Sequence, residues 1–186
     1  NTPRGKDRTR RFYAGVKPAA LFKSSDVGDT WDEVKALSNH PTREEWQPGL
    51  GGLCLHSIVV DGGQPGRMWV GISAVGVFGT SDAGGSWETM NYGVRADFLP
   101  DRFPDLGQCP HKVLAAPGGN GVLYQQDHCG VFRCGNGGKD WQDITQDLPS
   151  SFGFVLGLHS TDPDTLFVLP EDQAVGEDTG GGMRYV

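Results

Sequence analysis

Two short patterns bring nucleophilic and metal-ligating side chains together at the same spacing. Cys54-x-His56 recurs as Cys109-x-His111, and a His128-Cys129 pair follows. Residues two apart on a regular strand share a face, so each Cys and its His should point the same way. Cys54, His56, Cys109, His111 and His128 would then offer soft nitrogen and sulfur ligands to a transition metal such as zinc. Their spacing matches no zinc signature, and repeated strands would carry similar residues as buried, hydrogen-bonded side chains without any metal. The remaining polar chemistry gathers in two long stretches. Residues 36–53 carry Asn39, His40, Arg43, Glu44, Glu45 and Trp46, whereas 92–108 carry Arg95, Asp97, Asp101, Arg102 and Asp105. Loops longer than about 12 to 15 residues are uncommon without a role. The plain alternative is a pair of solvated loops covering the core, because loop residues are polar in any case.

The elements that must position these residues are announced by a repeated octapeptide. Ser24-x-Asp26-x-Gly28-x-Thr30-Trp31 is followed by Thr80-x-Asp82-x-Gly84-x-Ser86-Trp87 and by a blurred copy, Cys134-x-Asn136-x-Gly138-x-Asp140-Trp141. The tryptophans fall 56 and 54 residues apart, a period that suits a four-stranded unit with its loops. Each copy follows a Leu-Phe or Val-Phe pair and precedes a short alternating run, which predicts a hairpin. Its turn would be folded by Asp or Asn accepting backbone N–H bonds, with Gly where φ must be positive and Trp packed underneath. The third turn should form with fewer bonds.

The pattern Ser/Thr-x-Asp-x-Gly-x-Thr/Ser-Trp resembles the Asp-box, or bacterial neuraminidase repeat, of sialidase-like β-propellers. Two copies match in full, and Cys134, Asn136 and Asp140 depart from the pattern in the third. The resemblance implies an all-β propeller of four-stranded blades. In that family the box (Asp26, Gly28, Trp31; Asp82, Gly84, Trp87; Asn136, Gly138, Trp141) lies away from the active site and holds the third and fourth strands together. Other segments, such as Gly93 to Pro100 and Leu123 to Gly130, look like bacterial proteins described as glycosyl hydrolases.

Aligning the repeats predicts a partial first blade over 11–38, complete blades over 54–92 and 109–147, and a partial fourth over 152–186, about 14 strands in one segment. The last would end in its third strand at Met183–Val186. Such a ring is incomplete, so the chain should be a fragment, a strained four-bladed ring, or half of a homo-oligomer that covers its exposed edges.

Composition agrees. The 186 residues include 29 Gly and 12 Pro, and no helical periodicity extends over ten residues or more. A net charge of −7 argues against nucleic-acid and anionic-membrane partners, and the basic run from Arg4 to Arg11 reads as a solvated terminus. No apolar stretch approaches the roughly 20 residues of a membrane span. The chain is therefore expected to be soluble, with a bacterial cytoplasmic or secreted location open. Four Cys permit Cys54–Cys109 or Cys129–Cys134 disulfides, but reduced thiols are expected. No Gly-x-Ser-x-Gly elbow exists, and Gly180 to Gly182 lack the Lys-Ser/Thr of a phosphate loop.

In a propeller both long loops reach the channel mouth. The expected function is a glycoside-hydrolase-like activity on an unknown glycan or small ester. The candidate catalytic residues are Asp97, Asp127, Glu44, His56 and His111, and Arg43, Trp46, Arg95, Arg102 and His128 are the candidate substrate contacts. The resemblance implies three Arg, a Tyr nucleophile with a Glu partner and an Asp acid for sialidase chemistry, and no spacing here assembles that set. Xyloglucan-cleaving relatives use two Asp, for which Asp97, Asp101, Asp105 and Asp127 are available. Two alternatives stand beside this reading. One is a non-catalytic scaffold that binds glycan or protein; the other is a metal-dependent lactone hydrolase with Asp97, Gln126 and Asp127 as oxygen ligands to calcium.

Overall fold

The computed structural model describes residues 10–118 and 120–171. The expected strand at Met183–Val186, the glycines at 180–182 and most of the basic run lie outside the described residues. Within them, 13 strands form antiparallel sheets, each a simple up-and-down meander. The first sheet holds β1 (Phe12–Val16), β2 (Ala20–Ser24) and β3 (Asp32–Glu33). The second holds β4 (Leu55–Val60), β5 (Met68–Ile72), β6 (Gly76–Thr80) and β7 (Glu88–Thr89). The third holds β8 (Pro110–Ala115), β9 (Leu123–Asp127), β10 (Gly130–Cys134) and β11 (Trp141–Asp143). In the last, β12 (Gly153–Leu158) pairs with β13 (Leu166–Pro170).

Side chains bury both faces of the middle sheets, which is why β5, β6 and β9 are buried along their whole length rather than alternating. Leu21 and Val34 of the first sheet side meet Met68, Val70, Ile72 and Phe78 of the second. Val59, Trp69 and Val77 meet Val113, Leu123 and Phe132 across the next interface, and Tyr124 and Val131 meet Leu156, Leu166 and Val168 across the last. Each large apolar side chain so buried contributes about 1.5–3 kcal/mol. The stack is close enough that a Cβ on Gly15 would lie 2.3 Å from the Leu55 carbonyl oxygen.

The octapeptides fold as expected. Asp82 Oδ1 accepts from the Thr80 hydroxyl at 2.7 Å and the Ser86 amide at 2.9 Å, its Oδ2 accepts from the Ser86 hydroxyl at 2.7 Å, and Thr80 Oγ accepts from the Gly84 amide at 3.1 Å. The first turn repeats all four bonds: Asp26 accepts from the Ser24 hydroxyl and from the Thr30 amide and hydroxyl, and Ser24 Oγ accepts from the Gly28 amide. In the third turn Cys134 Sγ replaces the hydroxyl, donating to Asn136 Oδ1 at 2.9 Å and accepting from the Gly138 amide at 3.0 Å. The Asp140 amide donates to Asn136, but its carboxylate has no proton with which to repeat the Ser86 bond. The turns require left-handed backbone at Gly28, Gly84 and Gly138, at φ of 98°, 91° and 95°.

One expectation needs correction. Trp87 and Trp141 are buried at 6% and 3% exposure, whereas Trp31 is 43% exposed. Each tryptophan packs on the preceding sheet: a Cβ at Gly84, beside Trp87, would touch Val34, and Trp141 Nε1 donates to the Met90 carbonyl at 2.8 Å. Trp31 has no preceding sheet among the described residues. Nor, among the described residues, does a closely packed strand pair join the first sheet to the last to close a four-bladed ring.

Candidate functional site

Each sheet has two chemically different ends. β6 and β10 run toward the octapeptide turns, so the opposite end holds the β5–β6 and β9–β10 loops and the starts of β4, β8 and β12. At that end each inner strand opens with a β-bulge, between Leu55 and Ser57, Pro110 and Lys112, and Gly153 and Val155. The extra residues are His56, His111 and Phe154. A bulge re-aims one side chain out of the strand's alternation, so the same-face geometry expected of Cys54-x-His56 and Cys109-x-His111 does not hold.

The two imidazoles bridge neighbouring sheets. His56 Nε2 lies 2.8 Å from the Pro110 carbonyl oxygen, and His111 Nδ1 lies 2.7 Å from that of Gly153. A carbonyl only accepts, so the nitrogen facing it carries the proton. His56 Nδ1 then accepts from the Ser57 hydroxyl at 3.0 Å, while His111 keeps Nε2 as an acceptor. Burial holds His56, His111 and His128 below the usual imidazole range.

Around His111 the rim becomes aromatic. Its ring stacks on Phe154 at 4.4 Å between centroids and meets His128 and Phe152 edge-on at 5.6 and 5.2 Å. His128 is edge-on to Phe98 at 5.1 Å. These rings, with Gly49 to Gly52, Ser73, Ala74 and Cys109, line a pocket of about 510 Å³ that has no charged side chain in its wall. A larger crevice of about 530 Å³ lies by the turns, but its Ser24 and Asp82 are already engaged in turn bonds.

Asp127 lies one residue behind the His128 wall and is fully buried. Its Oδ1 accepts from the Cys129 amide at 3.2 Å, Oδ2 has no hydrogen-bond partner among the described residues, and burial pushes its carboxyl up to about 7. Burial likewise raises the Cys109 and Cys129 thiols. All four Cys are free.

The other sequence candidates are not brought to this pocket. Trp46, expected as a substrate contact, is 6% exposed and packs on Phe78 at 4.9 Å; the loop over 36–53 folds inward through the short helix α1 (Lys35–Ser38) and a tight turn at Arg43–Glu45. Arg43 donates to the Ala19 carbonyl at 2.9 Å and covers the Trp46 ring, and Glu44 is exposed beside it. Arg95 reaches Asp97, Asp143 and the Cys129 carbonyl, fastening the 92–108 loop to the third sheet. Asp97 also accepts from Arg102 at 2.6 Å. Among the described residues no group of three or more His, Cys, Asp or Glu is placed so that it could hold a metal ion.

The chain matches no protein-family model. A probable oligoxyloglucan-reducing end-specific xyloglucanase of Neosartorya fischeri is 24% identical over 198 residues, covering 91% of this chain and 23% of that protein. The chain thus spans under a quarter of that relative's length. An ancestral GH74 enzyme superposes with a TM-score of 0.64 at 15% identity, over 89% of this chain and 21% of that one. A GH74 enzyme of Niastella koreensis superposes with a TM-score of 0.56 at 21% identity, over 94% and 26%. These likenesses make the fold a β-propeller, present here as an incomplete ring of blades.

Phe152 and Phe154 escaped the sequence reading. Phe154 occupies the repeat position of His56 and His111, so the signal was a third ring at that place in the period. No helix among the described residues is long and apolar enough to cross a membrane.

Proposed function

We propose that this chain is the carbohydrate-engaging part of a glycoside-hydrolase-like propeller, and that the three octapeptides are Asp-box turns that only build its blades. The observation that carries the proposal is the uncharged pocket of about 510 Å³ ringed by Phe98, Phe152, Phe154, His111 and His128. A sugar ring presents apolar C–H faces that stack on aromatic rings and hydroxyls that need acceptors. Here Phe154 supplies such a face and His111 Nε2 such an acceptor. The likeness to a probable xyloglucanase makes neutral xyloglucan oligosaccharides the first ligands to test.

Binding without hydrolysis by this chain alone is favoured by one observation. Asp127 is sealed at 0% exposure and Asp97 is held between Arg95 and Arg102, so among the described residues no pair of carboxylates opens on the pocket. General acid and base work needs both groups within reach of the scissile bond. Titration calorimetry with xyloglucan and cello-oligosaccharides, run beside a reducing-sugar assay, tests both statements. Binding is expected, with roughly tenfold loss in Phe154→Ala, equivalent to about 1.4 kcal/mol of stacking, and no sugar release. Absence of binding at millimolar oligosaccharide would overturn the proposal. Sugar release abolished by Asp127→Asn would restore hydrolysis to this chain.

A further inference from the structure

We infer that two copies of this chain close head to tail into one ring, the first sheet of each packing on the last sheet of the other. The two outward faces are matching halves of an interface the molecule already builds within itself. The pairing register makes Trp69, Tyr124 and Phe167 equivalent, opposite Val59, Leu114 and Gly157 on their inner strands. Trp69 and Tyr124 are 1% and 3% exposed, and each reaches the next sheet side: Trp69 Nε1 donates to the Gly137 carbonyl and the Tyr124 hydroxyl to that of Pro163. Phe167 is 58% exposed, with Val155 beside it at 52%.

The other end is its complement. Phe12 is equivalent to Met68 and Leu123, since these face Ser24, Thr80 and Cys134 at the start of each turn. Met68 and Leu123 are 1% and 0% exposed, but Phe12 is 40% exposed and Trp31 beside it 43%. Each inner interface joins the face that carries Trp69 or Tyr124 to the face that carries the equivalents of Phe12. The Phe167 face of one copy and the Phe12–Trp31 face of another therefore continue the same packing. A contact of this head-to-tail kind forms a ring when the rotation closes. Two copies would place about eight blades in the ring, inside the usual range of about four to eight, whereas three copies would exceed it.

Sedimentation velocity and light scattering over a concentration series test this on the full chain. The expected mass is twice the 20.0 kDa of one chain. Trp31→Glu and Phe167→Glu each place a charge in both interfaces of the ring and should give monomers. Mixing the two variants leaves one interface wholly native, so a dimer should return on mixing alone. A wild-type monomer at every concentration, or a larger open assembly, overturns the inference. So does failure of the mixture to associate when circular dichroism finds both variants folded, because any symmetric face-to-face dimer lacks this complementation.

Discussion

The turn end and the pocket end of the same blades use their polar groups in opposite ways. At the turn end each Asp closes on its own loop: Asp26 and Asp82 accept hydroxyl and amide hydrogens from within eight residues of sequence, and the pattern is complete without any other sheet. At the pocket end the equivalent positions look outward. His56 and His111 bind carbonyls of the following sheet, and the third equivalent, Phe154, faces the pocket. Local bonds make closely similar turns in the first three sheets, whereas a position that answers to its neighbour can change with each blade. The first kind specifies architecture; the second leaves room for a ligand.

The sharpest test of this contrast is Trp87→Ala. Trp87 anchors the turn end inside the first core, so its loss should cost about 3–5 kcal/mol in denaturant unfolding. Oligosaccharide binding should survive in the fraction that folds. A comparable loss of affinity in folded protein would mean that the two ends are not independent.

pH separates the ends more gently. Bonds from Ser24 and Thr30 hold Asp26 well below the usual carboxylate range, and the Ser86 amide, with the Thr80 and Ser86 hydroxyls, does so for Asp82. Their folded values lie below the unfolded ones, so their stabilisation is present above about pH 4 and is lost as pH falls further. Asp127 has the opposite sign. Its folded value of about 7 exceeds the unfolded one, so the unfolded chain releases that proton first and stability falls as pH rises from about 4 to about 7. Asp127→Asn should flatten this neutral limb and raise stability at pH 8 by on the order of 2 kcal/mol. Asp82→Ala should alter only the acid limb. Unfolding curves across pH check both, and a neutral limb that persists in Asp127→Asn would exclude Asp127 as its source.

The smallest effect concerns the blurred turn. Asn136→Asp alone brings a carboxylate toward Asp140 and should be neutral or destabilising. Asn136→Asp with Asp140→Thr restores the missing hydroxyl donor and should stabilise by about 0.5–1 kcal/mol. Thermal unfolding of both singles and the double measures the coupling, and strict additivity would refute the proposed bond.

These ends also differed in how far the sequence revealed them. The strands and turns are legible because their causes are local: short apolar runs bounded by turn formers, Gly at left-handed positions, and side-chain acceptors two and four residues from their donors. The pocket was legible only in part. His56, His111 and His128 could be grouped by the period, but the bulges that re-aim them depend on the register between two strands. Trp46 looked like a rim aromatic because its stretch is polar, yet the α1 turn carries it onto Phe78. Trp31 carries the same signature as Trp87, and its exposure follows from what stands beside the sheet, which no short pattern encodes.

The sulfur in the third turn gives the molecule a built-in gauge of its own breathing. Cys134 is 0% exposed and is bonded on both sides, to Asn136 and to the Gly138 amide, so a thiol reagent can reach it only while that bend is momentarily undone. Because Cys54, Cys109 and Cys129 are also free, its alkylation rate under native conditions, followed at that residue by peptide mass spectrometry, reports how often this bend opens.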